Sequence, residues 1–378
     1  MAPLPPDVDD GRFDGVESGA VRVPSVTRAA AVLNVVAATH EGVSLSDLAR
    51  VVKAPKSSVL SVCLALTDER LLCRNDDGHY RLGIRVAELA SAELLHPPRL
   101  SRVTIAVQTL MNPFFAAEVG AVTAQCEALS ITCQVNDARQ NLERQLRQVV
   151  DIVHGRIDAL ILDAVDSDGV AESVAKVRRN GTPVVAVNAG ATGADATVTT
   201  DNTQAGELIG RHLATVLNGA GTIAVIGGTR ITANADRISG FLSALRGYSR
   251  LRIVARLDGD NSTGSGATLA GVILRQHAEI DAFFGINDPT SLGIAQALQT
   301  RRRRAIVVSA DGSASAVASI KAGGPIIATA AQDPALLGRI ALQTAQRLYA
   351  GERPAQRTRL LPTVLISREN ADSYVPWG

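Results

Sequence analysis

Residues 158–188 read DALILDAVDSDGVAESVAKVRRNGTPVVAVN, which is an apolar run, an amphipathic stretch and a second apolar run. Short runs such as ALIL and VVAV are typical of parallel strands that are buried on both faces. The apolar residues between them recur at helical spacing. The stretch therefore predicts a strand, a helix and a second strand, joined as a right-handed βαβ unit of a parallel sheet.

The same alternation of strand and helix patterns extends from about residue 100 toward the C-terminus. It starts at the strand-like segment 103–107 and begins again near Gln204. A segment of this length is sufficient for two lobes. In open parallel sheets a ligand binds beyond the carboxyl ends of the strands, so the residues that follow each strand are the candidates for a site.

The composition is that of a folded chain of two or three units. The 378 residues are 46% hydrophobic and 20% charged, which argues against extended disorder. The net charge of +1 gives no global signal for nucleic acid, so a DNA site would depend on a local cluster of charge. Residues 1–20 are acidic without an apolar segment, which predicts a disordered tail and no signal peptide. No run of 18 apolar residues occurs, so we expect a cytoplasmic protein without membrane contact.

The sequence has no pattern typical of a metal, a cofactor or a catalytic group. The cysteines Cys63, Cys73, Cys126 and Cys133 include no CxxC pair and no histidine at metal spacing. We expect buried reduced thiols in preference to a disulfide or a zinc site. Neither a GxGxxG motif nor a phosphate-binding loop occurs, and no Ser-His-Asp order suggests catalysis. We therefore expect no cofactor, no metal and no enzyme activity.

The segment 21–98 has a different pattern. Helical spacing predicts three helices over about 24–39, 45–52 and 55–68, and Ser44 with Asp47 predicts a capping box for the second. Two short strands around the turn NDDG predict a β-hairpin. A fourth helix over 84–95 ends before two prolines that mark a boundary. This order is typical of a winged helix-turn-helix followed by a linker helix.

The start of the third helix is the candidate DNA-binding surface. Lys56, Ser57 and Ser58 stand at a helix N-terminus, where lysine and hydroxyl groups suit phosphates and major-groove base edges. His79 and Arg81, in the hairpin, can lie along the DNA backbone or in the minor groove. Two alternatives stay open, namely an ordinary capped surface helix and a winged helix that contacts protein.

Short polar residues follow the predicted strands of the second segment. Asn112 precedes Phe114 and Phe115, which offers an amide for hydroxyl groups and two rings for the face of a sugar. Other strands run into Asp163, Asn188, Asp201, Asn202, Asn287, Asp288 and Asp311. A turn or a helix cap explains any one of them, and a core explains the phenylalanines. Together they match a neutral polyol, whose hydroxyls need paired donors and acceptors.

The stretch from Val23 to about Leu94 carries the motifs VPSVTRAAAVLNVV, EGVSLSDLAR, PKSSVLSVCLALTDERLL and GHYRLG. It resembles the winged helix of the isocitrate-lyase-regulator (IclR) family of bacterial transcription regulators. Leu60 and Ser61 stand where that family often has arginine or a larger polar residue, which leaves the operator sequence open. The resemblance implies DNA contacts from Lys56, Ser57, Ser58 and Ser61, with Arg28 and Arg81 as phosphate partners.

From Leu100 onward the chain carries NPFF, DALILDAVDSDGV, GTPVVAVN, TTDNTQAG, ADRISGF, FFGINDPTSLGIAQAL, VVSADGSASA and ATAAQDPALLGR. These motifs resemble the type 1 periplasmic-binding-protein fold of ribose-binding proteins and of lactose- and galactose-repressor-type effector domains. The resemblance implies a two-lobed, Rossmann-like α/β domain over 99–378. Lobe 1 would span about 101–200 and 333–361, and lobe 2 about 201–332 and 362–378. The implied ligand contacts are Gln108, Asn112, Phe114, Phe115, Asp163, Asn188, Arg237, Asn261, Asn287, Asp311 and Gln332.

Three positions depart from the pattern of that family. Asn188-Ala189 stands in place of a common Asp-Arg pair, Asn261 in place of an aromatic that often stacks, and Ala310 in place of another ring. Ribose itself is therefore not expected, and a different sugar, a cyclitol or another small polar molecule is. Arg237 would donate to two ring hydroxyls, the alternative being a surface salt bridge.

Together the two segments predict a ligand-responsive transcription regulator that binds operator DNA as a homodimer. Effector binding would close the cleft about crossovers near 200–201, 332–333 and 361–363, and so shift the spacing of two winged helices. One alternative is a cytoplasmic sugar-binding sensor whose winged helix contacts protein. Another is an enzyme acting on a small polyol with Asp163 or Asp311 as base, for which the sequence offers no paired acid and base.

Overall fold

The computed structural model describes residues 23–39, 42–95 and 98–377, and the chain divides into two compact units between Pro97 and Pro98. The acidic tail expected over 1–20 lies outside the described residues. Within the described ranges, no helix combines the length and the apolar character needed to cross a membrane.

The N-terminal unit is a small helical domain with a two-stranded hairpin. Its elements are α1 (Pro24–Ala37), α2 (Leu45–Val51), α3 (Lys56–Asp68), β1 (Leu72–Arg74), β2 (Tyr80–Leu82) and α4 (Ile84–Leu95). The strands are antiparallel, with Leu72 opposite Leu82. The core contains Val32, Val36, Leu48, Val59, Cys63, Leu72 and Tyr80. These residues lie on one face of each helix, which is why the helices fold against one another and against the hairpin.

Local sequence signals set the helix starts in this unit. The Ser44 hydroxyl accepts a hydrogen bond from the backbone N–H of Asp47, as the capping-box pattern predicts. Pro55 precedes α3 as its N-cap and is not its first helical residue, which corrects the sequence-based start by one position. Cys73 is exposed, contrary to the expectation of a buried thiol, because it alternates with buried Leu72 along β1.

The second unit contains two six-stranded sheets flanked by helices. Its elements are β3 (Arg102–Val107), α5 (Pro113–Ala128), β4 (Thr132–Asp137), α6 (Leu142–His154), β5 (Ala159–Leu162), α7 (Ala171–Arg179), β6 (Val184–Val187), β7 (Ala196–Thr200), α8 (Asn202–Val216), β8 (Ala220–Gly227), α9 (Thr232–Leu245), β9 (Arg250–Asp258), α10 (Thr263–Gln276), β10 (Ala282–Gly285), α11 (Asp288–Thr300), β11 (Ile306–Asp311), α12 (Ala314–Lys321), β12 (Ile326–Ala331), α13 (Pro334–Tyr349), β13 (Thr358–Leu361), β14 (Val364–Ser367) and a 3₁₀ turn (Ala371–Ser373).

Each sheet is the centre of one lobe. In lobe 1 the strand order is β13-β7-β6-β5-β3-β4, with every pair parallel. In lobe 2 the order is β14-β12-β11-β10-β8-β9, with β14 antiparallel to β12. The chain passes between the lobes after β7, after β12 and after β13. Short apolar strands such as β5 and β6 are fully buried, since helices cover both faces of the sheet.

A close helix crossing in lobe 2 holds one side chain of the candidate site. The backbones of α8 and α9 come into contact at Gly206 of α8. A Cβ atom at this position would clash with the carbonyl oxygen of Arg237 in α9. Glycine is therefore required for the two helices to approach this closely. The crossing fixes α9, and with it Arg237, against the carboxyl ends of the strands.

Candidate functional site

The face of α3 that was predicted to bind DNA is largely open to solvent. Lys56, Ser57 and Ser61 are exposed, and Ser58 is half-buried. The Lys56 ammonium donates to the Ser46 hydroxyl at 2.9 Å, and the Ser61 hydroxyl donates to the carbonyl oxygen of Ser57 at 3.1 Å. Both contacts are exposed to solvent, so these groups can exchange them for phosphate or base contacts at little cost.

The other predicted DNA contacts are distributed over the same unit. Arg28 is half-buried on α1, and in the hairpin His79 is half-buried while Arg81 is exposed. Two apolar side chains of α3 are also exposed: Leu60, which the sequence analysis named only as a departure from the family pattern, at 37%, and Leu64, which it passed over, at 54%. Lys56, Leu60 and Leu64 follow one another at intervals of four residues, which places them on one face of the helix. This spacing could have predicted from the sequence that the two leucines are exposed beside Lys56.

A small cavity of about 20 Å³ lies between the carboxyl ends of the two sheets. Loops and helix starts from both lobes line it, with these residues: Asn112, Phe114, Phe115, Asn188, Ile231, Ala233, Asn234, Arg237, Asn261, Asn287, Asp311 and Gln332. Polar amides, one guanidinium and one carboxyl therefore line the same small cavity as two aromatic rings.

Nine of the eleven residues predicted as ligand contacts line this cavity. The other two, Gln108 and Asp163, do not line it but hydrogen-bond to each other next to Asn188, which does. Sequence reasoning missed Ile231, Ala233 and Asn234, which flank the start of α9. For Asn234 a signal existed, since it precedes Arg237 by one helical turn.

Asn112, Phe114 and Phe115 form the start of α5. The Asn112 Oδ1 atom caps the helix by accepting from the N–H of Phe114 at 3.0 Å. The two rings pack edge to face with centroids 5.7 Å apart, and both also belong to the lobe 1 core. Phe114 and Phe115 are therefore core residues of lobe 1 and also form part of the cavity wall. The two interpretations of these residues do not exclude each other.

Asp163 follows β5 and is fully buried. Its Oδ1 atom accepts from the Gln108 amide at 2.8 Å and from the Asn188 amide at 3.3 Å. Its Oδ2 atom has no hydrogen-bond partner in the described structure. Burial raises the pKa of Asp163 to about 7, because a carboxylate loses its hydration when it is enclosed.

A second buried carboxyl, Glu118, lies near Asp163. Neither of its carboxyl oxygens has a hydrogen-bond partner in the described part of the chain. Burial raises the pKa of Glu118 well above its ordinary value, and the charge of Asp163 raises it further. The lobe 1 side of the site therefore contains two carboxyls that repel each other when both are ionised.

Arg237 lies in α9 and is 3% exposed. One terminal nitrogen donates to the carbonyl oxygen of Ile286, and the other donates to Asn202 Oδ1 at 2.7 Å. Only the Nε atom has no partner among the described residues. The alternative of a surface salt bridge is wrong, since the side chain is enclosed. Arg237 was predicted to donate to two ring hydroxyls of the ligand. To do so it would have to give up its hydrogen bonds to Ile286 and Asn202.

Asp311 lies opposite, at the end of β11. Its Oδ1 atom accepts from the Gln332 amide at 2.8 Å and is 3.8 Å from Arg237 Nη1. Its Oδ2 atom accepts from the N–H of Asp288 at 3.4 Å. Burial raises the pKa of Asp311 to about 8, with the charge of Asp288 adding to the rise and that of Arg237 opposing it. Asp288 itself is buried beside it, and its carboxylate accepts from Ser309, Thr329 and Ser313.

Two asparagines complete the lobe 2 wall. The Asn287 amide donates to the carbonyl oxygen of Asn261 at 3.1 Å, and its Oδ1 atom caps α11. Asn261 has a left-handed backbone with φ of 67°, a conformation that asparagine tolerates better than the bulkier aromatic residues do. Its amide donates to the Thr229 hydroxyl at 2.9 Å, which fixes its orientation at the cavity.

The lobes contact each other on both sides of the cavity. On one side the N–H of Gly190 donates to the Thr232 hydroxyl at 2.7 Å. On the other side the Trp377 ring packs edge to face on Phe114 at 5.4 Å. The Trp377 Nε1 atom donates to the carbonyl oxygens of Asp311 and Gln332. The cleft is therefore closed, and a wider groove of about 920 Å³ shares Asn112 and Asn261 with the cavity.

Residues 103–353 match the family model of the periplasmic binding protein domain. The chain belongs to this family. Residues 25–76 match the IclR helix-turn-helix domain, so this periplasmic binding protein domain is joined in one chain to a helix-turn-helix. The two resemblances and the predicted fold class are thereby confirmed. Both families are families of binding domains.

The periplasmic binding protein domain has relatives among sugar-import proteins. The chain is 28% identical over 270 residues to the ribose import binding protein of Bacillus subtilis, covering 71% of this chain and 87% of that protein. It is 29% identical, with a TM-score of 0.71, to an ABC transporter solute-binding protein of Mycobacterium smegmatis with bound glycerol, covering 74% and 98% of the chains. A Bacillus halodurans solute-binding protein with bound myo-inositol shares the fold, with 24% identity, a TM-score of 0.68 and coverage of 72% and 96%.

Proposed function

We infer that this protein is a transcription regulator that binds operator DNA as a dimer and responds to a sugar, cyclitol or similar small polyol. The observation that carries the proposal is the polar cavity between the two lobes of the periplasmic binding protein domain, on a chain that also has a helix-turn-helix. A sensor domain and a DNA-binding domain in one chain need no further component to link effector level to transcription.

The wall of the cavity supports a hydroxyl-rich effector. The amides of Asn112, Asn234 and Gln332 carry both donors and acceptors, as hydroxyl groups do. Phe114 and Phe115 supply an apolar wall for the carbon side of such a molecule. The names of the relatives, a ribose import binding protein and a protein with bound glycerol, point to the same class of ligand.

The exposed face of α3 supports DNA binding. Lys56 and Ser57 stand in its first turn, where N–H groups and a lysine together attract phosphate. The overall charge of the chain is close to neutral, so the contact would depend on these few groups. A dimer would place two such helices on half-sites about one or more helical turns apart.

Coupling between effector and DNA would come from closure of the cleft. Contacts such as Gly190 with Thr232 and Trp377 with Phe114 exist only when the lobes meet, so a ligand held between the lobes favours the closed form. A change in DNA affinity worth about 1–3 kcal/mol is a typical coupling free energy. A change in the dimer interface on closure would then alter the spacing of the two winged helices.

Two measurements test the proposal. Thermal unfolding with ribose, xylitol, glycerol and myo-inositol should show a rise in the melting temperature with at least one of them, because a ligand that binds only the folded state stabilises it. Selection of DNA from a random library should then give a sequence whose affinity changes when that ligand is added. No stabilisation by any polyol, together with no selected DNA, would contradict the proposal.

A second candidate is a sugar-binding sensor whose winged helix contacts protein, which the exposed Leu60 and Leu64 favour. Replacing Lys56 and Ser57 by alanine separates the two, since loss of two phosphate-facing groups should weaken DNA binding and reduce its salt dependence. Lys176→Ala, at an exposed helix position of lobe 1, is the matched control and should leave DNA binding unchanged. Unchanged DNA binding in the double variant would favour the protein-contact function.

A further inference from the structure

The outward face of α3 carries few side chains that can hydrogen-bond to DNA bases. In the major groove arginine and lysine pair with guanine, asparagine and glutamine with adenine, and acidic side chains with cytosine. The sequence of α3, KSSVLSVCLALTD, contains only Lys56 and Asp68 of these residue types. They stand at opposite ends of the helix, about 18 Å apart. Hydrogen-bonded base recognition is therefore limited to the Lys56 end of α3, where the Ser57 side chain is also exposed.

Apolar side chains occupy the middle of the same face. Leu60 and Leu64 are 37% and 54% exposed. Leu60 lies within about one helical turn of Lys56 and Ser57, so the three side chains are neighbours on the helix surface. The core of the N-terminal unit takes its side chains from the other face of α3, where Val59 is fully buried. Packing within the unit therefore leaves more than a third of Leu60 uncovered.

The apolar part of this face has a matching group on DNA. The 5-methyl group of thymine is the apolar group that base pairs present in the major groove. A recognition helix contacts base edges with residues near its N-terminus, and Leu60 is the exposed large apolar residue of α3 nearest to that end. Packing the methyl group on the leucine removes apolar surface of both from water, which stabilises the complex.

The charges of the unit also direct base recognition to α3. Asp76 and Asp77 are exposed at the turn of the hairpin, where phosphate groups would repel their carboxylates. The first turn of α3 contains no acidic residue and begins with Lys56. Contacts to phosphates position a protein on DNA, and contacts to bases specify the sequence. The turn of the hairpin is thus poorly suited to enter a groove, and sequence recognition falls to α3.

We propose that Leu60 is a specificity-determining residue, which packs on the 5-methyl group of a thymine in each half-site of the operator. This rests on the proposed function, in which α3 lies in the major groove of DNA. Lys56 and Ser57 bind the phosphates or base edges next to that thymine. Cytosine at the same position presents no methyl group, so the contact with Leu60 is lost and the half-site binds more weakly.

The test removes the methyl group without changing the base pairing. An operator is first selected with the full chain from a random DNA library, without and with the four polyols named above. Each thymine of one half-site is then replaced singly by deoxyuridine, and the affinity is measured by fluorescence anisotropy. At one position the affinity should fall by about threefold to fivefold, which corresponds to the loss of one buried methyl group.

Variants of Leu60 assign the effect to that side chain. Leu60→Ala should bind the thymine operator more weakly by a similar factor, and it should not distinguish thymine from deoxyuridine at that position. Leu129→Ala is the matched control and should retain the preference for thymine, since Leu129 is 58% exposed at the end of α5 in the second unit. Leu60→Gln should behave as Leu60→Ala does, and it takes the place of that variant if the alanine protein does not fold.

Each outcome decides the proposal. A preference for thymine over deoxyuridine that is abolished in Leu60→Ala supports it. A selected half-site without thymine, equal affinity for every deoxyuridine operator, or a preference that persists in Leu60→Ala overturns the role of Leu60 and leaves the DNA-binding function intact. If no DNA is selected, the proposal is overturned together with the DNA-binding function, and the protein-contact candidate is favoured.

Discussion

Replacing Arg237 by methionine should strongly destabilise the second unit, whether or not ligand is present. Methionine keeps the apolar stem of the side chain and removes the guanidinium. The change leaves the carbonyl oxygen of Ile286 and the Oδ1 atom of Asn202 without their buried donor. It also removes the cation that lies 3.8 Å from Asp311.

The expected loss of unfolding free energy is about 3–5 kcal/mol. Hydrogen bonds from a charged group contribute about 1.5–3 kcal/mol each, and two are lost. Breaking a buried charge pair by removing one partner costs about 3–5 kcal/mol, which agrees with that sum. Because Arg237 opposes the rise in the pKa of Asp311, its loss should make ionised Asp311 costlier. The destabilisation should therefore be larger near pH 8 than near pH 6.

Urea unfolding followed by tryptophan fluorescence measures this effect, because the chain has one tryptophan and its ring packs on Phe114 within the same unit. Arg211→Met is the matched control. That arginine is 65% exposed in an i,i+4 pair on α8, and its loss should cost less than about 0.5 kcal/mol. A loss below about 1 kcal/mol for Arg237→Met would refute the assignment of Arg237 as a structural donor.

Three further predictions concern other parts of the chain. Gly206→Ala should destabilise the second unit by about 1–3 kcal/mol in urea unfolding, because the added Cβ clashes with the carbonyl oxygen of Arg237. An unchanged urea midpoint of unfolding would contradict the close crossing of α8 and α9. Asp163 has a folded pKa of about 7, above its unfolded value, so the stability it contributes at low pH is lost as pH rises through about 7. Thermal unfolding of the unliganded protein should thus show a melting temperature that falls between about pH 4 and pH 7. The fall should be smaller in Asp163→Asn, and parallel curves for the two would argue against it. Ser44→Ala should cost the N-terminal unit about 1 kcal/mol in circular-dichroism melts through loss of the cap on α2, whereas a gain in stability would mean that the cap is not formed.

Much of the fold follows from patterns that are local in the chain. The apolar runs of β5 and β6, with a helical stretch between them, specify a parallel sheet because only the βαβ connection places both strands side by side. The polar residues that follow the strands are brought to one edge by the same rule. This is why Asn112, Asn188, Asn287 and Asp311 could be named as a group from the sequence, and the structure brings all of them to one cavity.

Other features depend on contacts between residues that are distant in sequence, and only the tertiary structure reveals such contacts. Both terminal nitrogens of Arg237 were expected to donate to the ligand, but in the structure they donate to Ile286 and Asn202. The motif ADRISGF contains neither residue, so the sequence could not predict these bonds. Ile231 and Ala233 have no polar signature, so their place in the wall comes from the docking of α9. The hydrogen bond from Gln108 to Asp163 likewise forms only when the fold brings together two residues that are 55 positions apart. Local patterns specify which elements form, whereas burial, charge balance and hydrogen-bond partners are properties of the packed lobes.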